Sequence, residues 1–204
     1  MKLFSLAILI YCFSTFTVGN SVTIECKYQM QRWWGTNSEY QCYIEGRELF
    51  GEDRVFIEKA EGDHEDGKTN DDVKYLDIYN TNLKYFPRNL ENIFKNLELI
   101  FIWDSKLIEL TSEDLRPFTK LKYFKIEGNP IEIISEDLFI HNPNIEILDI
   151  YYNKISHIDR KALSHLNKMR YFRFDGNVCK LNRKQAETKS EVLEMIKEIE
   201  EGQC

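Results

Sequence analysis

The chain has 204 residues, 43% hydrophobic and 30% charged, with a formal net charge of -7. That mixture suits a folded protein and excludes a disordered one. No block of Lys and Arg interrupts the acidic balance, so nucleic acid is excluded as a partner.

Residues 1–19 read as an export signal. Lys2 supplies the positive start, and an apolar run from Leu3 to Val18 follows, too short for a spanning helix. Thr17 and Gly19 are small residues at the -3 and -1 positions of a cut ahead of Asn20. No later stretch is apolar enough to span a bilayer. The expectation is therefore a secreted, extracellular chain with no stable membrane insertion once the signal is removed.

Of the five cysteines, Cys12 would leave with the signal. Cys26, Cys42, Cys179 and Cys204 remain, an even number in an exported chain, which suggests disulfides. Four cysteines allow three connectivities. Clustering at the two ends favours Cys26–Cys42 and Cys179–Cys204.

Between residues 20 and 72, Ser21–Cys26 alternates and reads as a strand. Gln41–Ile44 reads as its partner, with Trp33–Asn37 in the connection, and Arg54–Ile57 as a further strand. The acidic, turn-rich stretch 61–72 holds Asp63, Glu65, Asp66 and Asp71. Their spacing does not match a calcium-binding helix–loop–helix, so it reads as a solvated loop, with no metal.

Residues 73–180 repeat. Segments starting at Val73, Leu97, Leu121, Ile145 and Met169 follow one another every 24 residues. Apolar columns recur, one of Leu76, Ile100, Phe124, Leu148 and Phe172, another of Ile78, Ile102, Ile126, Ile150 and Phe174. These columns are two residues apart, so both face one side of a strand, and stacked units bury them in a parallel sheet. A polar column of Thr81, Ser105, Asn129, Asn153 and Asn177 sits at the turn leaving each strand. Asparagine there can bond backbone groups hidden from water, and the hydroxyls of the first two units do so less well. Lys74, Glu98, Lys122, Glu146 and Arg170 alternate in sign, a ladder of opposite charges once the strands stack. Asn142 is a polar intruder in an otherwise apolar column.

Over residues 184–201 a one-sided stripe of Ala186, Val192, Leu193, Met195, Ile196 and Ile199 reads as a helix. It can return Cys204 to Cys179. The alternative is that Cys204 bridges a second chain, giving a disulfide-linked dimer.

The five segments follow the pattern L-x-x-L-x-L-x-x-N-x-L. The sequence resembles the leucine-rich repeat family, in its 24-residue extracellular type found in Toll-type receptors and matrix proteoglycans. The resemblance implies an α/β fold, a right-handed solenoid with a parallel sheet on its concave face. Residues 20–72 would be a disulfide-containing N-terminal cap, and residues 181–204 a C-terminal helical cap. It also implies protein binding, with innate immune recognition a common use. The alternative function is a matrix or structural component assembled through Cys204.

Side chains alternating with the buried columns are expected bare on the concave face. Tyr79, Phe101, Trp103, Lys125, Asp149, Tyr151, Tyr152 and Arg173 are the candidate ligand-binding residues. Aromatic residues are enriched at the centres of interfaces, and charges of both signs suit a protein ligand. No nucleophile elbow, zinc-protease helix, Walker loop or dinucleotide fingerprint is present. His157 lies close to Asp159 without a placed nucleophile. No enzymatic activity, catalytic residue or cofactor is expected.

Overall fold

The computed structural model describes residues 21–33, 35–46 and 51–204. The expected signal at 1–19 lies outside the described residues. In chain order the strands are β1 (Ser21–Glu25), β2 (Lys27–Arg32), β3 (Ser38–Glu45), β4 (Phe56–Glu61), β5 (Tyr75–Tyr79), β6 (Leu99–Trp103), β7 (Tyr123–Glu127), β8 (Ile133–Ile134), β9 (Ile147–Tyr151), β10 (His157–Ile158), β11 (Tyr171–Arg173) and β12 (Gln185–Ala186). Single-turn helices α1 (Leu90–Ile93) and α2 (Ser112–Leu115) lie between strands, and α3 (Lys189–Glu200) ends the chain.

Among the described residues, eight strands make one sheet, in the order β12-β11-β9-β7-β6-β5-β3-β2. The register is the 24-residue one. Leu76 pairs with Ile100, Ile100 with Phe124, Phe124 with Leu148, and Leu148 with Phe172, all between parallel strands. Ile102 and Ile126 are fully buried, as are their neighbours in both columns. The stack begins one strand earlier than the repeat pattern does. Cys42 and Ile44 of β3 pair with Leu76 and Ile78, so the Cys-x-Ile of β3 takes the place of an apolar pair.

The polar column works as its chemistry requires. Asn129 Nδ2 donates to the carbonyls of Ile102 and Glu127 at 3.0 and 2.7 Å. Asn153 Nδ2 donates to those of Ile126 and Tyr151, and its Oδ1 accepts from the Asn129 backbone. Thr81 and Ser105 instead bond one another, hydroxyl to hydroxyl, at 2.9 Å. The ladder of charges forms as Lys74–Glu98, Lys122–Glu98 and Arg170–Glu146 pairs, and Glu39 on β3 extends it by one strand. These pairs are partly exposed, so each is worth only about 0–1 kcal/mol. Asn142 is buried, and its Nδ2 donates to the carbonyls of Leu115 and Phe118, which offsets part of the cost of burying it, while its Oδ1 has no hydrogen-bond partner among the described residues.

The pairing near the N-terminus differs from expectation. β1 pairs in parallel with β4, and it is β2 that runs antiparallel to β3. Strands on both sides of Cys26 reach the same core. Ile24 of β1 and Ile57 of β4 are both fully buried in the main core. Tyr28 of β2 joins that core too, stacking on Tyr40 and His64 and donating to the Asn70 side chain. The Cys26–Cys42 disulfide ties the two halves together, with Cα atoms 5.0 Å apart. In the acidic stretch, Asp72 caps the turn at Thr69, and Asp71 pairs with Lys95 one repeat further on.

The last helix starts later than the apolar stripe suggests. Thr188 and Glu191 form a reciprocal capping box that fixes its first turn. Residues 185–186 are drawn into β12 instead, because the edge of β11 offers unpaired backbone groups. Val192, Met195 and Ile199 are buried against the end of the core, whereas Leu193 is 53% exposed and lies off the stripe. Cys204 is bonded to Cys179 within the chain, with Cα atoms 5.5 Å apart. The expected alternative, a dimer linked through Cys204, is therefore not what this fold makes: the helix returns Cys204 to its own chain. His157 and Asp159 meet at 3.2 Å, and the other ring nitrogen of His157 meets the Cys204 carbonyl, so this pair ties down the chain end.

Candidate binding face

The second face of the sheet is not bare. Tyr75, Leu99, Phe101, Tyr123, Ile147 and Tyr171 form a second apolar cluster there, all buried, with Trp33 and Trp103 packed against it. The cover comes from the loop between β2 and β3. Thr36 closes its turn, accepting from the Trp33 N–H and donating to the Trp33 carbonyl. Trp33 lies edge-on to Phe101, its indole N–H donating to Gln41. Tyr75 donates to the Asn37 carbonyl, and Arg170 to that of Gly35. Gly35 has φ +74°, and a Cβ there would sit 2.9 Å from Ile147, so glycine is what lets the loop lie this close.

This corrects the expectation of open side chains. Phe101, Lys125 and Asp149 are only 6, 5 and 6% exposed. Alternation along a strand assigns these residues to the second face correctly, but a segment far upstream packs on that face and removes its middle from water. Tyr79, Trp103, Tyr151 and Arg173 are half-buried, and Tyr152 is 57% exposed.

What stays open is the rim at the C-terminal ends of the strands. Tyr43 stacks on Tyr79, and Tyr79 on Trp103 at 3.7 Å between centroids. Further along, the Arg173 guanidinium lies 3.6 Å over the Tyr151 ring while bonding Asp175, and Tyr152 leans on Tyr151. One residue of this rim is strained. The turn leaving each strand places a residue in the left-handed region, namely Asn80, Asp104, Gly128, Tyr152 and Gly176. Four of these are residue types that tolerate it, and Tyr152 is the bulky exception.

Between loop and rim lies a pocket of about 280 Å3, lined by Trp33, Phe101, Trp103, Lys125, Glu127, Asp149, Tyr151, Tyr171 and Arg173. Trp33, Glu127 and Tyr171 belong to it although the sequence did not single them out as binding residues. Trp33 carried no signal, since nothing in a hairpin loop says which face it will cover. Burial pushes the Asp149 carboxyl up to about 6, against the opposing pull of Lys125 and Arg173. Burial also pushes Asp77 up to about 7, partly offset by the Trp103 indole N–H that it accepts at 2.7 Å. The Lys125 ammonium is pulled below the usual lysine range by burial, with Asp149 acting the other way. Tyr151 is raised by burial and by its hydrogen bond to Glu127.

A sheet of parallel strands with a 24-residue register and an asparagine column defines a repeat protein. The family model for the leucine rich repeat matches residues 119–178. Among solved structures, the chain is similar to one from the Toll–Spatzle complex, described as a molecular hub in Drosophila development and innate immunity. There the identity is 20% and the TM-score 0.50, covering 62% of this chain and 17% of that chain. The glycosylated form of that complex gives 18% identity and a TM-score of 0.50, covering 63% of this chain and 17% of that one. At such identity the likeness speaks for the fold, and this chain spans less than a fifth of the length of that one. No curated protein matches the chain. Over residues 119–178 the chain therefore carries leucine-rich repeats, and the same 24-residue register runs through β5 and β6 before them.

Proposed function

We propose that this is a secreted, non-enzymatic leucine-rich repeat protein that binds a protein ligand along the rim of its concave sheet. In this reading the repeats wind as a right-handed solenoid. Residues 20–72 cap one end and residues 181–204 the other, each tied by its own disulfide. The observation that carries the binding claim is Tyr152. A bulky side chain held in the left-handed region costs about 1–2 kcal/mol, and such strain persists where a site needs the side chain. Its neighbours Tyr151 and Arg173, with Tyr79 and Trp103 further along, supply the aromatic and guanidinium groups that dominate protein interfaces. The Toll–Spatzle neighbours come from a complex concerned with development and innate immunity, which favours immune recognition as the setting. The matrix alternative loses its support because Cys204 is spent inside the chain.

Photo-crosslinking residues placed at Tyr79 and Tyr152 test the reading, with Ile133 and Ile140, exposed away from the rim, as controls. The expected result in extracellular fluid is one discrete adduct from the rim positions and none from the controls. Equal capture from all four positions would show that the rim has no privileged partner.

A further inference from the structure

The pocket beside Trp33 has a floor that the protein ligand reading leaves unused. Asp149 lines it, and Asp149 Oδ1 is buried without a hydrogen-bond partner among the described residues. A buried acceptor without a donor costs about 1–3 kcal/mol, so it calls for an explanation. The charges around it are unequal. Arg173 is already paired with Asp175 at 2.7 Å. With that pair counted as neutral, Lys125 is set electrostatically against two carboxylates, Asp149 and Glu127, one negative charge in excess when both are ionised, and Arg173 also acts on Asp149. The walls are the rings of Trp33, Phe101, Trp103, Tyr151 and Tyr171. Lys125 already lies over Phe101 and Arg173 over Tyr151, so the rings left to a guest are those of Trp33, Trp103 and Tyr171. Aromatic faces beside a carboxylate attract a cation both through the ring quadrupoles and through the charge. The volume lies at the small end for ligand pockets, suited to one side chain or a compact molecule.

We infer that this pocket binds a primary ammonium group carried on an apolar body, with the N–H donating to Asp149 and the body lying between Trp33 and Tyr171. The same chemistry is offered by a lysine side chain of the protein ligand and by a free arylalkylamine. The inference rests on the reading that this side of the sheet faces a ligand, and it names what that ligand must present.

The test uses the full disulfide-bonded chain at about pH 7.5, where Asp149 is ionised. Tryptophan fluorescence and calorimetry follow titration with phenethylamine, with its uncharged counterpart 2-phenylethanol, and with Nα-acetyl-lysine methylamide. Both amines are expected to saturate, and the alcohol to bind at least about tenfold more weakly. Asp149→Asn, which keeps size and removes charge, is expected to weaken the amines by about tenfold or more. If that variant fails to fold, the amine–alcohol contrast in the unaltered chain decides alone. The tighter of the two amines assigns the source, lysine side chain or free arylalkylamine. Equal binding of amine and alcohol, or no saturation by either amine to about 10 mM, overturns the proposal. Rim crosslinks that persist while the amines fail to bind would remove the pocket and leave the rim reading standing. Amine binding without rim crosslinks would do the reverse.

Discussion

Trp33 and Phe101 meet edge to face with ring centroids 5.1 Å apart, although one lies in the first hairpin loop and the other in β6. This contact roofs the second apolar cluster. Trp33→Ala should therefore destabilise the chain by about 1–3 kcal/mol and expose apolar surface. Urea unfolding and binding of a hydrophobic dye check it. Unchanged dye binding would mean that the loop does not shield the sheet in solution.

Tyr152 stands where the other repeats place Asn, Asp or Gly in the left-handed region. Tyr152→Asn should raise stability by roughly 0.5–1 kcal/mol by relieving that strain. The same change should weaken ligand capture at the rim. Thermal unfolding measures the first effect and crosslinking from Tyr79 the second. A variant that gains stability and keeps full capture would mean that the tyrosine is not there for binding.

Asn153→Ala leaves the Ile126 and Tyr151 carbonyls and the Asn129 N–H without their side-chain partner. The expected cost is about 2–4 kcal/mol. Thr81→Val breaks a single hydroxyl pair with Ser105 and should cost about 1 kcal/mol. Chemical denaturation of the two variants gives the comparison, and equal losses would contradict the bonding pattern of the column.

Asp77 is held up to about 7 by burial, well above its ordinary value in the unfolded chain. The folded state thus binds its proton more tightly. The stability this contributes is fully present below about pH 4 and is lost as pH rises through about 7. Asp77→Asn keeps an acceptor for the Trp103 indole and removes the titration. The variant should therefore gain on the unaltered protein as pH rises from about 4.5 to 7.5, by an amount on the order of a few kcal/mol. Urea midpoints at the two pH values measure it. A gap that stays constant would mean that Asp77 titrates normally.

The amino-acid order alone determined the repeat. A constant 24-residue spacing of paired apolar columns leaves parallel stacking as the way to bury them, and the asparagine column follows from the backbone groups that stacking hides. It also favoured both disulfides from the clustering of their cysteines, and it assigned Phe101, Lys125 and Asp149 to the correct face. Tertiary structure decided which strand pairs with which near Cys26, where α3 begins, and above all what covers the second face. Alternation along a strand says that two side chains point to opposite sides, but it carries no information about what lands on either side. The fate of Phe101 depends on Trp33 and Gly35, far away in the chain, and on a glycine small enough to let their loop settle on Ile147. Such a contact is made only once the chain has folded, so no local pattern records it.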